Sequence, residues 1–325
     1  MHRHAAWSKD VEANEAYLRG KYYLDRATLD GLRLAFQHVS SAVQKDPTQG
    51  RAFAALAEWY VCAAPFRLVT RSEALPKSRE AALHAITLDP TLDEAHTCLG
   101  LIALLEWDVQ RAKQEFEEAL RLNPNAVNAG RRLAHVLSLL GRHKDAIALI
   151  EQIRELDPIS PRTNLAVASV YYIAGRYDAA IEPAQAALDL EPGSEPAQYF
   201  MGMARHFAGQ AELAIRHLTQ ASADCPALLS GLAFVLARTG DSTAARRVID
   251  DMKDRATTQE ELLSAYDFAE AFSGLGDDDR TLTYLQRACD LRLPEMLGVA
   301  ADPAFQTLRD HPRFRRIVRT VGLDV

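Results

Sequence analysis

Proline recurs every 34 residues through the middle of this chain, at Pro90, Pro124, Pro158, Pro192 and Pro226. Four of the five close nearly the same phrase, LDP, LNP, LDP and LEP; the fifth closes DCP. Small residues keep step in three further series: Gly100, Ala134, Ala168 and Gly202; then Ala112, Ala146, Ala180 and Ala214; then Ala119, Ala187 and Ala221, with Ile153 as the exception. A period of this length marks one supersecondary unit repeated along a chain. Each period holds two helical patterns of about a dozen residues, parted by a turn at Gly141, Gly175 or Gly209. Small side chains let the two helices of a pair approach closely. Larger ones, Leu99, Phe116, Leu133, Ile150, Val167 and Leu218, are expected to fill the space between successive pairs. Proline stops the second helix yet is welcome at the mouth of the next. A lone pair cannot bury its apolar face, so neighbours must complete the burial.

Composition supports helices. Of 325 residues, 48% are hydrophobic, 25% charged and only 7% aromatic, the balance of a folded chain in which alanine and leucine favour helix over sheet. The net charge of -7 argues against nucleic-acid binding by the chain as a whole, because that needs a basic face. Cys62, Cys98, Cys225 and Cys289 form no CxxC pair, so neither a zinc site nor a redox motif is signalled. The start has no apolar core of a signal peptide, and no stretch approaches the roughly eighteen apolar residues a membrane span needs. The expectation is a soluble, cytoplasmic chain, with an upstream anchor or effector domain left open.

The 34-residue phrase, with L-G or L-A, then Y or L, then A, F and P at fixed offsets, resembles the tetratricopeptide repeat. The clearest copy is EAHTCLGLIALLEWDVQRAKQEFEEALRLNP, residues 94 to 124, and the next three units follow without insertion. Looser copies flank them, so the resemblance covers roughly residues 13 to 293. The resemblance implies an all-α superhelical solenoid of about eight helix-turn-helix units. These are drawn at 13–49, 50–92, 93–126, 127–160, 161–194, 195–225, 226–258 and 259–293. An N-terminal segment, 1–12, precedes them and C-terminal capping helices, 294–325, follow. YLRGKYYL, EWDVQRAKQEFEEALRLNP and the terminal DPAFQTLRDHPRFRRIVRTVGL also look like the repeat region of bacterial signalling proteins, where it follows a winged-helix, kinase or cyclase domain. No kinase HRD or DFG pair is present here. The resemblance implies a sensor or docking half.

Enzyme signatures are lacking: there is no GxGxxG after a strand, GxxxxGK[ST], HExxH or GxSxG. His2 and His4 are the only close histidine pair, and no cofactor or metal is expected. Glu106 and Asp108, and the run Asp277, Asp278, Asp279, are read as turns and helix starts. Pro183 falls inside a second helix, where it either kinks the helix or occupies a first turn. In HPRFRRIVRTVG, the apolar Phe314, Ile317 and Val318 are expected to cover the end of the stack, with Arg313, Arg315, Arg316 and Arg319 facing water.

In tetratricopeptide stacks the first helix of each pair lines the concave face. Carried over by phase, this implies a partner surface of Asn128, Arg131, Arg132, His135 and Ser138, then Arg162, Ser169 and Tyr172, then Tyr199, Met203, His206 and Phe207, and finally Phe234, Arg238, Tyr266 and Glu270. Arginine forks and tyrosines suit an acidic peptide or helix. The positions matching the family's clamp for chaperone tails hold Arg131, His135 and Ala166, which departs from its Lys-Asn-Asn pattern. The expected function is a non-enzymatic protein- or peptide-binding scaffold in a bacterial regulatory system. Self-association and reception of a small signalling peptide or ligand stand as alternatives.

Overall fold

The computed structural model describes residues 7–323 apart from 27, 65, 67 and 259–262. It is all-α, with no strand among the described residues. Two compact units divide it, residues 1–133 and 134–325.

The first unit holds α1 (Val11–Arg26), α2 (Leu29–Lys45), α3 (Gly50–Ala63), α4 (Arg71–Leu88), α5 (Asp93–Leu105) and α6 (Val109–Leu122). The helices pack as consecutive pairs, α1 on α2, α3 on α4 and α5 on α6. Close approach follows from the small residues. A methyl group on Gly100 would lie 2.5 Å from the Phe116 ring, and Ala112 and Ala119 are fully buried. Trp59 is anchored by its indole N–H, which donates to the Leu32 carbonyl at 2.7 Å. The α5–α6 turn carries Trp107 at φ 67°, the left-handed conformation that glycine supplies in other pairs. Helix α4 begins at Arg71 and runs through Pro76, which lies inside it.

Helix α7 (Val127–Leu139) begins in the first unit and ends in the second. The second unit continues with α8 (His143–Leu156), α9 (Pro161–Ile173), α10 (Tyr177–Leu190), α11 (Glu195–Phe207), α12 (Ala211–Asp224), α13 (Leu229–Arg238), α14 (Ser242–Thr258), α15 (Ala265–Gly274) and α16 (Asp278–Asp290). Again successive helices pair, α9 on α10, α11 on α12, α13 on α14 and α15 on α16. The first helices of these pairs also stack side by side, α9 on α11, α11 on α13 and α13 on α15. Gly175 takes φ 70° between α9 and α10, as its turn requires. Pro183 is a buried interior residue of α10, not a first-turn residue.

Past α16 the chain forms two 3-10 turns, Pro294–Gly298 and Pro303–Leu308, and a last helix, α17 (Pro312–Thr320). Helix α17 packs on α16 and buries Phe314, Ile317 and Val318, leaving its arginines exposed. The 3-10 turns differ from the expected capping helices. Pro294 and Pro303 open them, and the segment Pro303–Leu308 packs on α15.

Candidate functional site

The first-helix face of the second unit is where most of the expected partner residues fall, and part of that face is already covered. Residues 300–309 lie against it. Ala304 joins the buried core formed by Tyr172, Met203, Phe234, Phe268 and Phe272. The Tyr266 hydroxyl donates to the Asp302 carboxylate at 2.7 Å, and Ser273 Oγ donates to the Ala304 carbonyl at 2.5 Å. The Phe305 ring meets Tyr266 edge to face, with centroids 5.4 Å apart, and is wholly buried. Asp302 also caps its own 3-10 turn by accepting from the Ala304 N–H at 2.9 Å. Farther along, the turns after α7 and α9 and the segment's Ala300, Ala301, Pro303, Gln306 and Arg309 line a cavity of about 430 Å³.

Beneath this segment lies a buried carboxyl. Glu270 is 3% exposed and receives the Tyr199 and Ser230 hydroxyls, both at 2.5 Å. Burial, with the nearby Asp302 carboxyl adding to it, pushes Glu270 up to about 8. Burial likewise raises Asp302, against the lowering effect of the Tyr266 hydroxyl, the Ala304 N–H and Arg309. The Tyr199 and Tyr266 hydroxyls are driven well above their ordinary value by burial and by these carboxyls. Burial and the Arg238 charge hold His206 below the usual histidine range.

The tetratricopeptide-repeat profile matches residues 103–168. Residues 103–168 are tetratricopeptide repeat. A stretch of 147 residues is 26% identical to the transcriptional regulator HilA of Salmonella typhimurium, covering 45% of this chain and 27% of that protein. The HilA of Salmonella typhi matches to the same extent. The chain thus spans about a quarter of the length of the curated relatives it matches. Among solved structures, Pseudomonas aeruginosa PilF superposes with a TM-score of 0.49 at 17% identity, over 66% of this chain and 92% of that one. A thermophilic TPR protein of Thermus thermophilus gives 0.48 at 18% identity, over 58% and 98%. YrrB, described as a TPR protein with an unusual peptide-binding site, gives 0.41 at 19% identity, over 58% and 92%.

Placed on these repeats, the expected partner residues divide into three groups. Asn128, Arg132, Arg162 and Arg238 are exposed, and Arg131, His135, Ser169, His206 and Phe207 are partly so. Arg131 is hydrogen-bonded to Asn128 one turn earlier on α7. Tyr199 and Tyr266 are partly buried and spend their hydroxyls on Glu270 and Asp302. The third group is a correction. Tyr172 (4% exposed), Met203 (0%), Phe234 (3%), Ser138 (0%) and Glu270 (3%) are core residues that present no surface to a partner. Tyr172, Met203 and Phe234 are buried in one core built from successive helices, which Ala304 joins.

Sequence reasoning missed Asp302, Ser273 and Arg309 as members of this face. The signal was available in DPAF, where an acidic N-cap, a proline and an aromatic sit in one turn, but nothing in it says which surface it meets. Asp108 caps α6 through the Arg111 N–H at 2.9 Å, and Asp277 caps α16 through the Arg280 N–H at 3.1 Å. Glu106 pairs with Arg79 at 2.6 Å. No group of three or more His, Cys, Asp or Glu residues able to hold a metal occurs among the described residues. No helix there is long and apolar enough to cross a membrane. His2 and His4 lie outside the described residues.

Proposed function

We propose that this chain is a non-enzymatic scaffold that docks a protein or peptide segment, as the sensing or docking part of a bacterial regulatory system. Proteins built of tetratricopeptide repeats are protein-binding scaffolds, and the match over residues 103–168 brings the chain into their company. One observation carries the finer reading. In a chain of net charge -7, the first helices of the second unit's repeats leave Arg162 on α9 and Arg238 on α13 exposed. Guanidinium groups on such helices favour carboxylate-bearing partners, since their planar forks bind carboxylates bidentately. On α7, Asn128, Arg131 and Arg132 belong to the first unit and extend the same chemistry there; His135 follows in the second. The regulatory role is supported by the relatives' description as transcriptional regulators.

The test is a peptide-display selection on the immobilised full chain, followed by fluorescence titration of the selected peptide. An acidic consensus is expected, with affinity falling about tenfold or more in Arg162→Glu and Arg238→Glu. Affinity unchanged in both variants at moderate salt removes the arginines from the site. An apolar or basic consensus removes the acidic partner.

A further inference from the structure

Residues 300–309 have the attributes of a bound peptide. They run without α-helix and join the first-helix face through one side-chain carboxylate, one backbone carbonyl and one aromatic ring. These are Asp302 to the Tyr266 hydroxyl, the Ala304 carbonyl to Ser273 Oγ, and Phe305 against Tyr266. Peptide ligands are likewise held by backbone hydrogen bonds that supply affinity and side-chain pockets that supply choice.

We infer that this segment is an internal ligand: it occupies a peptide-binding face on α9–α15, and an outside peptide of the same chemistry, an acidic residue followed three positions later by an aromatic one, docks there by displacing it. The inference rests on the peptide-binding reading above and narrows it to one face and one motif.

Two features separate an internal ligand from an ordinary plug. A plug of the core is best made apolar, because a buried charge without a partner is costly. Here the segment brings Asp302 towards a second buried carboxyl, Glu270, whose proton affinity Asp302 raises. Around Glu270 stand Tyr199, Ser230 and Asp267; around Asp302 stand Tyr266, the Ala304 N–H and Arg309. Asp302 is met there by two hydrogen-bond donors, the Tyr266 hydroxyl and the Ala304 N–H. The second feature is the route. The segment leaves α16 through Leu291, which is 58% exposed, and returns to it with α17. It is thus a loop tethered at both ends, with Val299, Phe305 and Leu308 buried along it.

The experiment titrates a fluorescein-labelled peptide of residues 298–310, GVAADPAFQTLRD, into the full chain and into chains whose own segment is weakened. Asp302→Ala/Phe305→Ala is expected to bind the peptide at least tenfold more tightly than wild type. The milder Asp302→Asn is expected to gain about threefold. A peptide carrying both alanines should bind none of the chains. Helical content by circular dichroism establishes that each variant is folded. Should the double variant unfold, Asp302→Asn decides the matter alone. A folded variant that binds no better than wild type overturns the internal ligand. Equal binding of the double-alanine peptide overturns the motif. If the display selection still yields an acidic consensus sensitive to Arg162→Glu, the scaffold reading survives the loss of this inference; if only the 298–310 peptide binds, the arginine site fails and the internal ligand stands.

Discussion

A methyl group at Gly202 would sit 2.5 Å from Leu218 Cγ, and one at Gly100 the same distance from the Phe116 ring. The small residues were legible in the sequence as places of close approach, whereas Phe116 and Leu218, expected between successive pairs, meet the glycine of their own pair. Gly100→Val is expected to lose about 1–3 kcal/mol of stability by overpacking, read as a lower urea midpoint; an unchanged midpoint would refute the close approach. Other residues could not be read in this way. The phase that put Tyr172 and Met203 on a first helix names their side of the helix, but cannot say that neighbouring helices cover it. Glu270 is the sharpest case, an acid on a face expected to be open and found closed. Its carboxyl holds a proton in the folded chain up to about pH 8, against an ordinary value of 4.5. Its contribution to stability is therefore complete below about pH 4.5 and is lost as pH rises through 8. Thermal midpoints measured from pH 5 to 9 should fall less steeply in Glu270→Gln than in wild type. Parallel curves would mean that Glu270 ionises freely.

Helix boundaries follow from caps that the chain supplies at its turns. Asp108 opens α6 and Asp277 opens α16, each accepting the N–H three residues on, and Ser264 with Asp267 forms a reciprocal box at the start of α15. Asp108→Ala should cost about 0.5–2 kcal/mol, measured by thermal denaturation, if its side chain does no more than cap. Two helices run across a proline, and for Pro183 the sequence left open a kink or a first-turn place. Pro76 and Pro183 lie inside α4 and α10, and a proline normally argues for an end because it lacks a donor and crowds the preceding turn. Packing of α4 on α3 and of α10 on α9 holds them in helix regardless. The final stretch was misjudged for the opposite reason. Its apolar residues, Met296, Val299, Phe305 and Leu308, are all buried, yet they fall at multiples of three, the 3-10 period, and leave no α-helical stripe to recognise.

Across the molecule, each helix pair touches chiefly the pairs beside it, so damage should stay local as it does in other repeat chains. Phe116→Ala, at a fully buried position of α6, is expected to cost about 3–5 kcal/mol there. Hydrogen exchange should then quicken in α5 and α6 while amides of α15 in the second unit keep their protection. Uniform loss through both units would contradict local burial. The loop from α16 to α17 breaks this nearest-neighbour pattern, since its residues 300–309 reach the turns after α7 and α9 as well as α15. Being fixed at both ends, that loop faces its seat at an effective concentration of order millimolar, so a rival present at micromolar abundance must bind about a thousandfold better to take the place. Covalent attachment thereby sets a threshold, which faint or scarce mimics do not cross.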